Sequence, residues 1–250
     1  MATAPKQRAI REVEYPTGDG KPMAETDVHR QDMVDVIETL GHHFADDPNV
    51  YISGNLLLYY EEGNPRKHVA PDVLVSFRVP KNPPRDYYLV WKEGKAPDVV
   101  IEITSKSTMR EDKTKKWNLY RDILEVTEYF QFDPTEDYLK PPLQGFRLVE
   151  GDYIPIQPVN GRLPSQILGL HLERDGKELR LFDPVTGLRL LKQAERLEAE
   201  NQRAEAECKR AEAECKRAEL AEAELQKIAE ENDRLRRELE ALRRRSPLPE

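Results

Sequence analysis

Residues 203–216 consist of one seven-residue sequence, Arg-Ala-Glu-Ala-Glu-Cys-Lys, written twice in succession. Seven residues is the period of the coiled coil, in which apolar side chains recur in alternating steps of three and four. The segment from residue 193 onward holds 13 Lys and Arg and 16 Asp and Glu among 58 residues, with no Gly and no aromatic residue. This composition favours one long helix and disfavours a globular core.

An apolar seam follows this segment in steps of three and four residues. Its members are Leu190, Ala194, Leu197, Asn201, Ala204, Cys208, Ala211, Cys215, Ala218, Ala221, Leu225, Ile228, Asn232, Leu235, Leu239 and Leu242. Two consecutive steps of three at Ala218–Ala221 form a stammer in the repeat. The Ala- and Cys-rich first half buries little apolar area, so we expect the Leu- and Ile-rich second half to carry the association. Asn201 and Asn232 on the seam would set the register at a cost in stability.

We therefore predict a coiled coil over residues 191–245, followed by a tail at 246–250. It should make the protein a homo-oligomer, with a dimer as the first expectation. The alternative is a single charged helix that has no partner. Cys208 and Cys215 have no other Cys or His nearby in the sequence, so they are interpreted as small apolar seam residues and not as metal ligands.

The composition of the whole chain narrows the protein class. The 250 residues have a net charge of −8 and only two cysteines. No run approaches the roughly 18 apolar residues of a membrane span, and residues 1–14 lack the apolar stretch of a secretion signal. We expect a cytoplasmic protein that has no disulfide framework and no membrane segment. A negative net charge does not favour binding of nucleic acid by charge alone, but it is compatible with a metal site built from acidic residues.

The remaining residues have the pattern of one α/β (α+β) domain at 25–190, behind a polar segment at 1–24 that we expect to be flexible. Helical spacing of apolar residues predicts a helix from Thr26 to about Phe44. The nearly continuous apolar run at 98–104 is typical of a buried central strand. Further strands are predicted at 50–60, at 68–77 with an interruption at Pro71-Asp72, and at 127–132, 145–149, 153–156 and 178–182. These elements predict a mixed β-sheet flanked by helices.

A second helix is predicted to follow the buried strand. Thr108 and Glu111 have the spacing of a capping box, which opens a helix that should run to about Leu124. Within it, Asp112, Lys116 and Tyr120 recur every four residues and therefore share one helix face.

Acidic and basic residues cluster around the predicted strand ends. Asp72 follows Pro71 inside one strand, Glu102 ends the buried run, and Lys116 lies on the helix face after it. A carboxylate buried at a strand end needs a partner. Two carboxylates brought together repel, so one is protonated or a cation lies between them. Mg²⁺ suits such a pair, because it binds one or two carboxylates together with waters and phosphate oxygens.

Each of these residues also has an ordinary structural interpretation. Asp72 fits a turn after proline, Glu102 fits a buried ion pair, and Lys116 fits an i,i+4 pair with Asp112 or a bridge between the two acids. Further residues are weaker candidates. Asp98 is a third acid or a turn residue, Tyr120 is a packing residue, Glu38 is a further metal contact by analogy only, and His29 is a lone structural histidine.

The order Pro-Asp, then a strand that ends in Glu, then a lysine resembles the PD-(D/E)XK nuclease superfamily. More narrowly, the chain resembles the Uma2 family of restriction-endonuclease-like proteins (DUF820), and its charged tail resembles that of cyanobacterial members. The stretches that carry this resemblance are Pro97-Asp-Val-Val-Ile-Glu102-Ile-Thr-Ser105, the trio Asp112, Lys116 and Tyr120, Glu128-Tyr-Phe-Gln-Phe-Asp-Pro134, and Leu143-Gln-Gly-Phe-Arg-Leu148.

The resemblance implies a restriction-endonuclease-like fold and a nuclease that depends on Mg²⁺, with Mn²⁺ as a substitute. Asp72 and Glu102 match the metal-binding carboxylates of the family. Thr104 stands where the superfamily usually has its lysine, and Lys116 on the following helix matches the lysine of the Uma2 pattern. Lys106 and Lys113 are lesser candidates for this role.

The function expected from the sequence is therefore hydrolysis of nucleic-acid phosphodiester bonds by a metal-activated water. Asp72 and Glu102 would hold the metal and Lys116 would assist, while the coiled coil would join two chains. DNA is the preferred substrate, although the sequence does not separate DNA from RNA. The alternative is a catalytically inactive nuclease fold that serves as a binding or regulatory module and recruits a partner through its coiled coil.

Overall fold

The computed structural model describes residues 13–18, 26–104 and 112–245, without the side chains of residues 112–113 and 243–245. The chain divides into two compact units, Met1–Gln193 and Ala194–Glu250. Among the described residues, no helix combines the length and the apolar character that crossing a bilayer requires.

The first unit contains thirteen strands, two α-helices and two π-helical segments within its described part. The helical segments are α1 (Asp27–His43), α2 (Val90–Glu93), π1 (Asp112–Lys116) and π2 (Leu119–Ile123). The strands are β1 (Val50–Ser53), β2 (Leu58–Tyr59), β3 (His68–Val69), β4 (Val73–Phe77), β5 (Tyr88–Leu89), β6 (Val99–Ile103), β7 (Glu128–Phe132), β8 (Leu143–Val149), β9 (Asp152–Pro155), β10 (Leu163–Pro164), β11 (His171–Asp175), β12 (Glu178–Asp183) and β13 (Leu188–Arg189).

A six-stranded sheet with the order β1-β4-β6-β7-β8-β9 forms the centre of this unit. Strands β6 and β7 are parallel, and every other neighbouring pair in this sheet is antiparallel. The mixed sheet flanked by helices confirms the predicted fold class. All five residues of β6 are buried, as its nearly continuous apolar run predicts. Two smaller sheets, β10-β11-β12-β13 and β3-β2-β5, complete the unit.

The two faces of the central sheet belong to different apolar clusters, because successive side chains of a strand point to opposite sides. Ile101 and its neighbours on one face pack with Met33, Val36 and Leu40 of α1 and with the β10–β13 sheet. On the other face, Val100 packs with Tyr120 of π2 and with further tyrosines. Glu102, two residues beyond Val100, consequently points to the face that π1 and π2 cover.

Helix α1 begins where the sequence predicts it. The Thr26 side chain accepts a hydrogen bond from the His29 backbone N–H at 3.2 Å, which caps the first turn. The predicted strand at 50–60 is instead two strands, and this prediction was wrong about its continuity. A Cβ atom on Gly54 would lie 2.0 Å from the Asp72 carbonyl oxygen, and Asn55 has φ 53°, so the chain turns there.

The predicted interruption of the 68–77 strand at Pro71-Asp72 is confirmed, since β3 ends at Val69 and β4 begins at Val73. Proline has no N–H to donate to a sheet. Strand β11 was not predicted, because Leu172 is the only apolar residue in its sequence and its pairing with β12 comes from tertiary structure. The capping box at Thr108 and Glu111 lies outside the described residues.

The described residues of the second unit, 194–245, form one helix, α3 (Gln193–Arg245), whose first residue belongs to the first unit. Its helical state confirms the prediction from composition. The apolar side chains of its second half are exposed in the single chain, among them Leu225, Ile228, Leu235, Leu239 and Leu242. Whether these side chains pair with another chain stays a prediction.

Candidate metal and active site

The register of β4 and β6 brings the two predicted carboxylates together. Val73 pairs with Ile101 and Leu74 pairs with Val100 in antiparallel register. One step further along this ladder, Asp72 stands opposite Glu102 at the point where the pairing ends. Both residues are buried, Glu102 completely and Asp72 to 7% exposure. Two acids far apart in sequence thus meet at one end of the central sheet.

Asp72 is held by two donors that converge on a single oxygen atom. The Ile103 backbone N–H donates to Oδ2 at 2.7 Å, and Nε2 of His29 lies 3.1 Å from the same atom. Burial raises the pKa of a carboxyl group, but the His29 hydrogen bond, the charge of Lys116 and the Ile103 N–H outweigh this effect. They hold the pKa of Asp72 below its ordinary value. Asp72 is therefore an anion in a buried position.

Glu102 is held by two side chains of the helical segment that follows β6. Lys116 Nζ donates to Oε2 at 2.8 Å, and the Tyr120 hydroxyl donates to Oε1 at 2.6 Å. Burial and the adjacent Glu102 charge keep the pKa of Tyr120 well above its ordinary value. Tyr120 consequently remains a neutral phenol that can only donate to this carboxylate.

Lys116 and Tyr120 reach one carboxylate because they are four residues apart, a spacing that places both side chains on one face of a helical segment. The Leu124 N–H donates to the Leu119 carbonyl at 3.0 Å, which is the i→i+5 pattern of a π-turn. This π-turn begins at Leu119, three residues after Lys116, and it contains Tyr120. Such turns occur frequently at functional sites.

Thr104 lies on the same side of the sheet as Glu102, two residues further along the strand direction. Its N–H donates to the Phe132 carbonyl at 2.6 Å, which continues the β6–β7 ladder. The Thr104 hydroxyl is buried and has no hydrogen-bond partner within the described residues. A hydroxyl cannot supply positive charge, so Lys116 is the basic side chain that the described structure brings to the two acids.

The residues present fit a hard divalent cation. Both hydrogen bonds to Asp72 end on Oδ2, which leaves Oδ1 directed to no donor in the described part of the chain. Glu102 accepts a hydrogen bond from Lys116 on one oxygen and from Tyr120 on the other, and each oxygen has a second lone pair with which a cation could be bound beside Lys116 or Tyr120 or in place of one of them. No cluster of three or more His, Cys, Asp or Glu with metal-binding geometry occurs in the described ranges. Two carboxylates match Mg²⁺, which completes its shell with water and phosphate oxygens.

Other predicted candidates have different surroundings. Asp98 accepts from the Phe77 N–H at 2.7 Å and from Lys95 Nζ at 2.6 Å, so it has the structural role that was its alternative. Glu38 accepts from the Gln193 amide once that amide is oriented to satisfy both groups. Lys106 lies outside the described residues, as do the side chains of Asp112 and Lys113.

Sequence reasoning missed His29 and assigned Tyr120 to packing. His29 precedes Asp72 by 43 residues and belongs to a different element, and no local spacing links the two. Tyr120 gave a signal that could have been used, since it shares the four-residue spacing of Lys116. A buried tyrosine hydroxyl requires a partner, and the buried strand offered Glu102 as an acceptor.

Comparison with known proteins places the chain in a family. A search of curated proteins found no match. Among solved structures, the chain is similar to a "putative nuclease belonging to DUF820" from Anabaena variabilis ATCC 29413, with 18% identity and a TM-score of 0.46. That alignment covers 61% of this chain and 80% of the other. The model of the Uma2 family, described as "Putative restriction endonuclease", matches residues 4–181. Because this match spans most of the chain, the protein belongs to the Uma2 family.

Proposed function

We propose that the protein is a Mg²⁺-dependent endonuclease that hydrolyses phosphodiester bonds of nucleic acid. The observation that carries the proposal is the meeting of Asp72, Glu102 and Lys116 at one end of the central sheet. A buried pair of acids that share one lysine is costly to maintain. Binding of a cation and a phosphate, with Lys116 moving from the acids to the phosphate, would explain why such a pair is present.

In this proposal, Asp72 and Glu102 hold Mg²⁺, or Mn²⁺ in its place. The metal would supply an acidified water and positive charge for the phosphate oxygens. His29 and the Ile103 N–H hold Asp72 through Oδ2, and Oδ1 would then be the oxygen that binds the cation. Tyr120 holds Glu102 through Oε1. Lys116, released from Oε2, would neutralise charge on the phosphate.

The proposal extends to partners. Nucleic acid is the expected substrate class for a member of a restriction-endonuclease-like family, and we propose duplex DNA before RNA. Two chains joined through α3 would bring two sites to one duplex, and each site would cut one strand. The domain boundaries at residues 25, 190 and 245 and a cytoplasmic location are part of the same proposal.

A cleavage assay tests the active-site assignment. Supercoiled plasmid and single-stranded DNA and RNA are incubated with Mg²⁺ or Mn²⁺, with EDTA as the blank. We expect cleavage by the parent chain and a loss of roughly 1,000-fold for Glu102→Gln or Asp72→Asn, about the effect of losing one major electrostatic contributor. The matched control is Glu38→Gln, an acid on α1 that lies outside the site, and it should cleave at the parental rate.

Calorimetry with Mn²⁺ gives a readout that does not depend on finding the substrate. The parent should bind the ion and Glu102→Gln should not. If both acid variants cleave as fast as the parent, the site is wrong. If the parent neither binds Mn²⁺ nor cleaves any of the three substrates, the nuclease proposal fails and the binding-module alternative takes its place.

A further inference from the structure

The second half of the seam on α3 is an unpaired apolar stripe. In heptad notation, Leu225, Asn232 and Leu239 occupy a positions, and Ile228, Leu235 and Leu242 occupy d positions. The five apolar side chains are each more than half exposed in the single chain. A helix that packs against nothing is marginal in water, because helical stability in proteins comes mainly from burying an apolar face. A second copy of the same helix would cover this stripe.

We infer that two copies of α3 pair in parallel and in register along this stripe. The inference rests on the coiled-coil dimer proposed above and adds its orientation and alignment. Three observations favour the parallel arrangement: the position of Asn232, the charges that flank the stripe, and the unequal apolar content of the two halves of the seam.

Asn232 is the polar member of the stripe, and its environment depends on orientation. In a parallel, in-register pair, each a residue faces its own counterpart, so the two Asn232 amides can bond one another. In an antiparallel pair of the same stripe, a residues face d residues, and Asn232 would stand opposite Leu235. An amide buried against an aliphatic side chain loses its hydrogen bonds.

The charged residues beside the stripe also favour the parallel arrangement. Parallel pairing sets a g residue beside the e residue of the next heptad on the other chain, which brings Glu231 next to Arg236 twice in the dimer. Antiparallel pairing of the stripe sets g beside g, so Glu231 would approach Glu238. Opposite charges thus meet in one orientation and like charges in the other.

A full-length antiparallel pair is disfavoured by apolar content. It would lay the Leu- and Ile-rich half of each helix on the Ala- and Cys-rich half of the other. Leu225 would then face Ala211, and Asn201 would face Leu235. Parallel pairing instead stacks Leu and Ile on Leu and Ile, which buries the larger apolar area in one continuous block.

Cysteine crosslinking separates these arrangements. In the parallel pair, the two copies of an a residue are neighbours, within the range that a disulfide requires. In the antiparallel pairs, the two copies of residue 225 lie more than about 20 Å apart, at about 1.5 Å per residue along the helix. The native Cys208, also an a residue, would be separated by about 30 Å or more in the same pairs.

The experiment uses the full chain with one cysteine at a time. The test variants are Cys215→Ala, which keeps Cys208, and Leu225→Cys in a Cys208→Ala, Cys215→Ala background. The matched control is Ala223→Cys in the same background, an f position two residues from Leu225 that points away from the seam. Covalent dimer is followed on non-reducing gels after mild oxidation, and light scattering gives the mass before oxidation.

We expect both test variants to form covalent dimer at least tenfold faster than the control. A dimeric mass with test and control rates that are equal would overturn the parallel, in-register pairing and leave the dimer standing. A monomeric mass would overturn both the dimer and its orientation. Nuclease activity does not enter this readout, so its failure leaves the active-site assignment to the cleavage assay.

Discussion

Two buried glutamates on neighbouring parallel strands, Glu102 on β6 and Glu128 on β7, are equally inaccessible to solvent and differently surrounded. Glu128 accepts from Arg147 at 2.8 Å, from the Ser165 hydroxyl, and from the backbone of residues 166 and 167. Glu102 has Lys116 and Tyr120 as donors and the carboxylate of Asp72 across the strand ladder. Burial is therefore the same for the two acids, and the second carboxylate beside Glu102 is what distinguishes their surroundings.

The two glutamates should differ most in how much each contributes to the free energy of unfolding. Glu128→Gln removes a charge from a network that consists entirely of donors supplied by the fold. It leaves Arg147 without its carboxylate and loosens the segment at 165–167. We expect the free energy of unfolding to fall by about 3 kcal/mol, the usual effect of breaking a buried ion pair. Urea denaturation measures this change. A loss below about 1 kcal/mol would mean that Glu128 contributes little to the fold.

A third buried acid, Asp32 on α1, has fewer partners than either glutamate. Its Oδ1 accepts from the Leu179 N–H at 3.4 Å, and its Oδ2 has no hydrogen-bond partner in the described structure. Burial is the main cause that raises the pKa of Asp32 to about 6. This pKa lies above that of Asp32 in the unfolded chain. The contribution of Asp32 to the free energy of unfolding is therefore complete below about pH 4 and is lost as the pH rises through 6.

Asp32→Asn should therefore raise the free energy of unfolding at pH 7.5 by about 1–3 kcal/mol and change it little at pH 4. Urea denaturation of parent and variant at the two pH values checks the difference. The matched control is Asp35→Asn, which loses an ion pair with Lys192 at 2.7 Å and should not be stabilised. A gain for Asp32→Asn that is equal at both pH values would show that ionisation is not its cause.

Tyr120→Phe isolates the donor that the sequence did not assign to the site. The variant removes one hydrogen bond to Glu102 without changing the ring that packs on Tyr129. We expect a loss of about 1–2 kcal/mol in the free energy of unfolding, as for a hydrogen bond to a charged group. Tyr153→Phe, which loses a bond to a backbone carbonyl, serves as the comparison. A larger loss for Tyr153→Phe would argue against a special role for Tyr120.

The smallest stability effect is expected for Glu102→Gln. Removing this charge relieves the repulsion from Asp72, and Lys116 still has Asp72 nearby as a counter-charge. The free energy of unfolding should change by less than about 1 kcal/mol in either direction, well below the effect of Glu128→Gln. Both variants are measured in urea with EDTA present. If Glu102→Gln and Glu128→Gln lower the free energy of unfolding equally, the two glutamates contribute alike to stability and the prediction is wrong.

The sequence predicted much of the fold because its signals were local. Helix α1 has helical apolar spacing and a Thr26 cap, and β6 is a short, nearly continuous apolar run. What the sequence could not provide was register. Nothing near Asp72 indicates that its strand runs antiparallel to β6, and the approach of His29 depends on how α1 packs over the sheet. The break at Gly54 likewise depends on the closeness of a chain segment far along the sequence.

The parallel pairing of β6 and β7 has a consequence for how such a site can vary. A parallel neighbour requires the connecting chain to return to the end of the sheet where it started. The described part of this connection carries Lys116 and Tyr120 onto the side where Glu102 points. The acids are thus fixed by the ladder of the sheet, whereas the lysine is carried by a connection whose length and sequence can change without disturbing that ladder.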